Sequence, residues 1–90
     1  VRKSQALLLR LRYDPQYHFS QVCVDYIDRG AFGDRSLVFG RDIKVLGSSG
    51  MDIQSKDDVK HIPFHRVLRI RYQGVTVWER GVAKDGKNSL

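Results

Sequence analysis

The chain has 90 residues, with 16 Lys and Arg against 10 Asp and Glu, giving a formal net charge of +6. So short a chain buries only about 60–65% of its unfolded surface, which leaves no room for a large cleft with a cofactor pocket, so no cofactor is expected. Apolar residues at 41% and charged residues at 29% describe an ordinary globular domain, and the charge favours anionic partners.

Val1-Arg2-Lys3-Ser4 is a basic start, and Gln5 to Tyr13 follows it. Taken with period 2, Leu7, Leu9, Leu11 and Tyr13 face one side while Leu8, Arg10 and Arg12 face the other. This alternation predicts a first strand with an outward basic stripe. Asp14-Pro15 ends it, because proline lacks an amide donor and restricts the residue before it. Pro15 to Ser20 can form one helical turn. A second strand is predicted over Val22 to Asp28, with Val22, Val24 and Tyr26 on one face and Cys23, Asp25 and Ile27 on the other.

Arg29-Gly30-Ala31-Phe32-Gly33 reads as a turn, and Ser36-Leu37-Val38-Phe39 as a short third strand. Residues 46–58, containing Gly47-Ser48-Ser49-Gly50 and the polar stretch Asp52 to Asp58, read as a mobile surface loop. His65 to Tyr72 alternates again, with Arg66, Leu68, Ile70 and Tyr72 opposed to His65, Val67, Arg69 and Arg71. Gln73-Gly74 supplies a two-residue turn into Val75-Thr76-Val77-Trp78, which completes a hairpin. Residues 81–90 read as a tail. The fold class expected is mainly β, or α+β with one short helical turn: a single domain with its core over residues 7–80, built as a small meander or partly closed barrel of about five strands.

The longest apolar run, Ala6 to Leu9, is far too short to span a bilayer, and no membrane partner is expected. Cys23 is the single cysteine, which excludes internal disulfides and Cys-rich zinc modules and suits a reducing intracellular compartment, cytoplasmic or nuclear. Its neighbours Val22 and Val24 make it a small buried residue rather than a nucleophile. His61 and His65 flank Pro63 and find no further ligands at metal-site spacing, so no metal is expected.

The arginines are the strongest chemical signal. Arg10 and Arg12 on one predicted strand and Arg69 and Arg71 on another would, if neighbours, form a four-guanidinium patch for phosphate. Tyr13, Tyr17, Tyr26 and Tyr72 offer stacking surfaces of the kind that RNA-binding sheets use. Arg66, in phase with Leu68 and Ile70, needs a carboxylate, for which Asp25 and Asp28 are candidates. Trp78 is expected to pack in the core.

Val24-Asp25-Tyr26-Ile27-Asp28-Arg29, Ile62-Pro63-Phe64-His65-Arg66-Val67 and Val75-Thr76-Val77-Trp78-Glu79-Arg80 occur in this order, after an opening Leu9-Arg10-Leu11-Arg12-Tyr13-Asp14. Together they resemble the RNA cyclic group end recognition domain family, over roughly residues 7 to 80. Glu79 stands where that family often has Asp. The resemblance implies a small archaeal and eukaryotic RNA-binding module, often fused to RNA-processing enzymes, that recognises processed 3′ ends such as a 2′,3′-cyclic phosphate. Residues matching its motifs, and so candidate end-binding residues, are Tyr26, Asp28, Arg29, His65, Arg66 and Arg80. Arg10, Arg12, Arg69 and Arg71 would then hold the RNA backbone.

Two other functions compete with this one. A metal-independent ribonuclease or cyclic phosphodiesterase would use His65 with His61 or His18; His18-Phe19-Ser20 matches one half of the His-x-Ser/Thr signature of two-histidine phosphoesterases, but the second half is absent. A protein-interaction module would present the basic face to an acidic partner.

Overall fold

The computed structural model describes residues 2–81. Its elements are a helix α1 (Lys3–Tyr13) and seven strands: β1 (Val22–Ile27), β2 (Arg35–Phe39), β3 (Ile43–Leu46), β4 (Gly50–Ser55), β5 (Asp58–Pro63), β6 (Val67–Tyr72) and β7 (Val75–Glu79). Single 3₁₀ turns occupy Phe19–Gln21, Phe32–Asp34, Gly40–Asp42 and Phe64–Arg66. The strands form two antiparallel sheets, ordered β2-β1-β6-β7 and β3-β4-β5, and neither closes into a barrel. The mainly-β expectation is met, with seven strands in place of about five.

The opening segment is the main correction. Residues 3–13 are helical, so Arg10 and Arg12 sit on α1 rather than on a strand. Ser4, Leu8 and Leu11 are buried at helical spacing, and Leu8 is fully enclosed. The segment holds no β-branched residue between Lys3 and Tyr13, while Ala, Leu, Gln, Lys and Arg are all good helix formers. Propensity therefore overrides the apparent two-residue alternation. Arg10 and Arg12 in the last turn suit the negative end of the helix dipole. The expected one-turn helix at 15–20 is displaced to the 3₁₀ turn at Phe19–Gln21.

The second correction concerns residues 46–58, most of which are sheet. Met51 and Ile53 are buried and alternate with the less buried Asp52 and Gln54, while β4 pairs along its whole length with β5. Lys56, at φ +50°, tightens the turn between them. Gly50 lies so close to the Ile62 carbonyl that a Cβ would collide with it. That glycine is there for a strand contact, not for loop freedom.

The core joins α1 and both sheets: Leu8 and Leu11 pack with Val22, Val24, Tyr26, Val38, Ile43, Met51, Ile53, Ile62, Phe64, Val67 and Ile70. Gln5 Nε2 donates to the Gly47 carbonyl at 2.9 Å, and Arg12 Nη1 to that of Ile43 at 3.3 Å, holding α1 against the smaller sheet. The β6–β7 hairpin is as expected, with Gln73 at φ +51° and Gly74 at φ +82° in its turn. One departure matters for the site. Asp25 pairs with Arg69 but Tyr26 pairs with Val67, so Leu68 is an extra residue on β6. This bulge resets the phase, turning both Val67 and Ile70 inward and leaving Arg69 and Arg71 on the opposite face.

Candidate functional site

At the end of β1, the inward side of the larger sheet carries a polar cluster. Tyr26 is buried and opposes Ser36 of β2 across the sheet. Two residues on, Asp28 accepts a 2.7 Å hydrogen bond from Ser36 Oγ at Oδ2 and a 2.9 Å bond from Lys60 Nζ at Oδ1. The same ammonium lies 5.7 Å from the Tyr26 ring centroid. Arg66, in the 3₁₀ turn after β5, is near enough for its charge to act on both Asp28 and Lys60.

The electrostatics follow from these contacts. Donation first from Ser36 and then from Lys60 holds the Asp28 carboxyl below the usual carboxylate range. The bond to Asp28 raises Lys60 above its ordinary value. Burial pushes the Tyr26 phenol up, with the Lys60 charge opposing it. Two cations face one carboxylate, so the cluster keeps a surplus of positive charge.

A second constellation lies on the other face of the sheet. Asp25 is only 4% exposed. Its Oδ2 accepts from Arg69 Nε and Nη2, both at 2.7 Å, and its Oδ1 accepts from Arg71 Nη2 at 3.1 Å. Arg35 Nη2 of β2 stands 3.7 Å from Oδ2. Asp25 is thus the acceptor for Arg69 and Arg71, while Asp28 is the carboxylate near Arg66. The four-guanidinium patch does not form: α1 lies on the Val24–Ile70 side of the sheet, and Arg69 and Arg71 lie on the side of Asp25. Arg10 instead stands over Tyr17, and Arg12 over Phe19.

A family model described as the MJ1316 RNA cyclic group end recognition domain matches residues 1–80. The chain belongs to that family. A UPF0248 protein of Archaeoglobus fulgidus is 38% identical over 71 residues, covering 79% of this chain and 96% of the relative. One from Methanopyrus kandleri is 28% identical over 75 residues, covering 83% and 96%. One from Pyrobaculum calidifontis is 33% identical over 46 residues, covering 51% and 60%. No solved structure matches.

The three motifs that carried the family resemblance converge on Val67. Tyr26 of the first pairs with Val67 of the second, and Arg80 Nε of the third donates to the Val67 carbonyl at 3.1 Å. Arg80 itself lies on the far side of β6 from Tyr26, in a hollow with Arg2, Lys3 and Trp78. Trp78 is only partly buried, packed against the rim of the core. His65 is exposed, one residue before Arg66, and Arg29 is exposed in the turn beyond β1. The structure therefore gathers Tyr26, Asp28 and Lys60, with the charge of Arg66 acting on the last two; His65 and Arg29 are exposed chain neighbours of Arg66 and Asp28, and Arg80 lies apart.

Sequence reasoning missed Lys60 and Ser36. The signal was present: Lys60 is in phase with the buried Ile62 on β5, and Ser36 with the buried Val38 on β2. A lysine on an inward phase needs a carboxylate, and Asp28 supplies it. His61 is taken up by Asp52, with Nδ1 and Oδ1 2.8 Å apart, and the backbone N–H of His18 donates to the Tyr72 hydroxyl. Among the described residues no group of His, Cys, Asp and Glu side chains converges as a metal site. No described helix is long and apolar enough to cross a membrane.

Proposed function

We propose that this domain is a non-catalytic module that binds the 3′ end of RNA and holds a 2′,3′-cyclic phosphate at the Lys60–Arg66 cluster, within a larger RNA-processing protein. The observation that carries this reading is the charge balance around Asp28. A cyclic phosphodiester is singly charged, and the cluster offers two cations already partly neutralised by one carboxylate. A dense lysine pocket would suit a dianionic monophosphate better. Asp28 and Ser36 fix the ammonium in place before the ligand arrives, which lowers the ordering cost of binding. Exposed His65 supplies an imidazole donor at the margin, and family membership supports RNA as the ligand.

Titration with a ribonucleoside 2′,3′-cyclic monophosphate, followed by amide NMR, tests this. Shifts should centre on Tyr26, Asp28, Lys60, His65 and Arg66, and the cyclic ester should stay intact. Shifts confined to other surfaces would remove the site, and hydrolysis would replace the binding module with a phosphodiesterase.

A further inference from the structure

The outward face of the β2-β1-β6-β7 sheet takes no part in the cluster around Asp28. There β2 presents Leu37 and Phe39, 52% and 42% exposed, beside Asp25 and Cys23 of β1. Arg69 and Arg71 of β6 lie on the other side of those β1 residues. Leu37, Phe39, Cys23 and Arg71 line a hollow of about 600 Å³, with Gln21 and Gln73 at its polar end. The guanidinium of Arg41 stands 5.5 Å from the centroid of the Phe39 ring. This face is both apolar and cationic. Arg35, Arg41, Arg69 and Arg71 outnumber the carboxylates of Asp25 and of Glu79, which opposes Arg69.

Asp25 organises three of these cations, Arg35, Arg69 and Arg71. Its burial lets one carboxylate fix Arg69 and Arg71 against the sheet, so they are held in place and do not sweep through solvent. Arg71 is the less satisfied of the two. Beyond Asp25 it has a weak 3.6 Å contact to Cys23 Sγ, and its Nε is buried without a hydrogen-bond partner. A hollow of this volume is within the range of small-ligand pockets. An aromatic ring, an aliphatic neighbour and the Asp25-held guanidinium of Arg71 line it, with Arg41 against the Phe39 ring, and that is the chemistry of a single-stranded nucleotide site.

We propose that this hollow takes one nucleotide of single-stranded RNA, its base against Phe39 and Leu37 and the adjoining phosphates on Arg71, Arg69 and Arg41. The inference rests on RNA being the ligand, but not on which end chemistry the domain reads. The site is distinct from the Asp28 cluster and contributes affinity rather than end discrimination. Charge complementarity selects RNA over an apolar partner, and an aromatic base explains why a phenylalanine is left exposed beside an arginine.

The test uses single-stranded RNA octamers of one sequence, ending in a 2′,3′-cyclic phosphate or a 3′-hydroxyl. Phe39→Ala and Phe39→Leu should each weaken binding of both RNAs by about tenfold, with the ratio between ends unchanged. Phe39→Tyr should restore it, because the ring rather than apolar bulk is required. All three changes are at an exposed position, and circular dichroism confirms folding. Unchanged binding by folded Phe39→Ala overturns this proposal even if the wild type prefers the cyclic end. Loss of end preference with Phe39→Ala still tenfold weaker overturns the end-site reading instead. A glutamate-rich peptide that shifts Leu37 and Phe39 amides, where RNA does not, overturns the nucleotide site in favour of a protein partner.

Discussion

Truncating Leu8 separates a helix from a strand at the start of the chain. In α1 Leu8 is fully buried and packs in the core, while Leu9 is only partly buried and lies outside the core cluster. A strand would reverse them, with Leu9 inward and Leu8 outward. Alanine is the best helix former, so Leu8→Ala leaves helix propensity intact and isolates lost packing. Fully buried Leu→Ala changes cost roughly 3 kcal/mol, up to about 5 where the cavity cannot collapse. A domain of this length has a total stability of about 5–13 kcal/mol, so that loss is a large share of it. In thermal unfolding followed by circular dichroism, Leu8→Ala should melt about 16–26 °C below the wild type. Leu9→Ala should cost about 1 kcal/mol or less. A Leu8→Ala effect smaller than that of Leu9→Ala would refute the packing described for α1.

Further predictions concern the turns and the charged cluster. A lowered Asp28 pKa adds stability that is present above the ordinary carboxylate value and lost as pH falls through the folded value. A raised Lys60 pKa adds stability present below the ordinary amine value and lost as pH rises through the folded one. Urea unfolding should therefore show a gap between wild type and Asp28→Asn that is flat from about pH 5 to 9 and narrows below about pH 4. The gap should be no more than about 1 kcal/mol, because Lys60 is 43% exposed; a gap that widens in acid would contradict the pairing. Gly40→Ala would drive a Cβ into the Phe19 carbonyl, and should lower stability by about 1–3 kcal/mol in the same assay. Gln73→Asn should add about 0.5 kcal/mol of stability, because Asn tolerates the positive φ of this hairpin turn better than Gln, and so raise the melting temperature by about 2–4 °C. A fall would show that the Gln73 side chain is needed there.

The legible parts of the fold were those where pattern and turn chemistry agree. Val22 to Ile27 is a run rich in β-branched and apolar residues, Gly30 and Gly33 take the positive φ that the turn after it needs, and Gln73-Gly74 closes β6 on β7. Residues 3–13 misled because Leu7, Leu8, Leu9 and Leu11 satisfy periods of both 2 and 3.6. Only the absence of β-branched residues separates the two. Residues 50–55 were hidden by the glycines and serines before them and the charges after them, although Met51 and Ile53 alternate as a strand should. In the site, Tyr26, Asp28 and Arg66 were readable from the motifs. Lys60 shares its phase with Ile62, but a segment carrying Asp58, Lys60, His61 and Pro63 does not read as a strand, so that phase is not evident from the sequence. The bulge at Leu68 could not be read from alternation at all, since an extra residue erases the period that would reveal it.

We propose that the Asp28-anchored cluster reads a singly charged RNA end. Competition binding at near-physiological salt measures it most directly, with one short RNA bearing a 2′,3′-cyclic phosphate, a 3′-phosphate or a 3′-hydroxyl. The wild type should favour the cyclic end by tenfold or more, about 1.4 kcal/mol, and the Lys60→Met, Arg66→Met double variant should lose that preference. Equal affinity of the wild type for all three ends would rule out end recognition by this cluster.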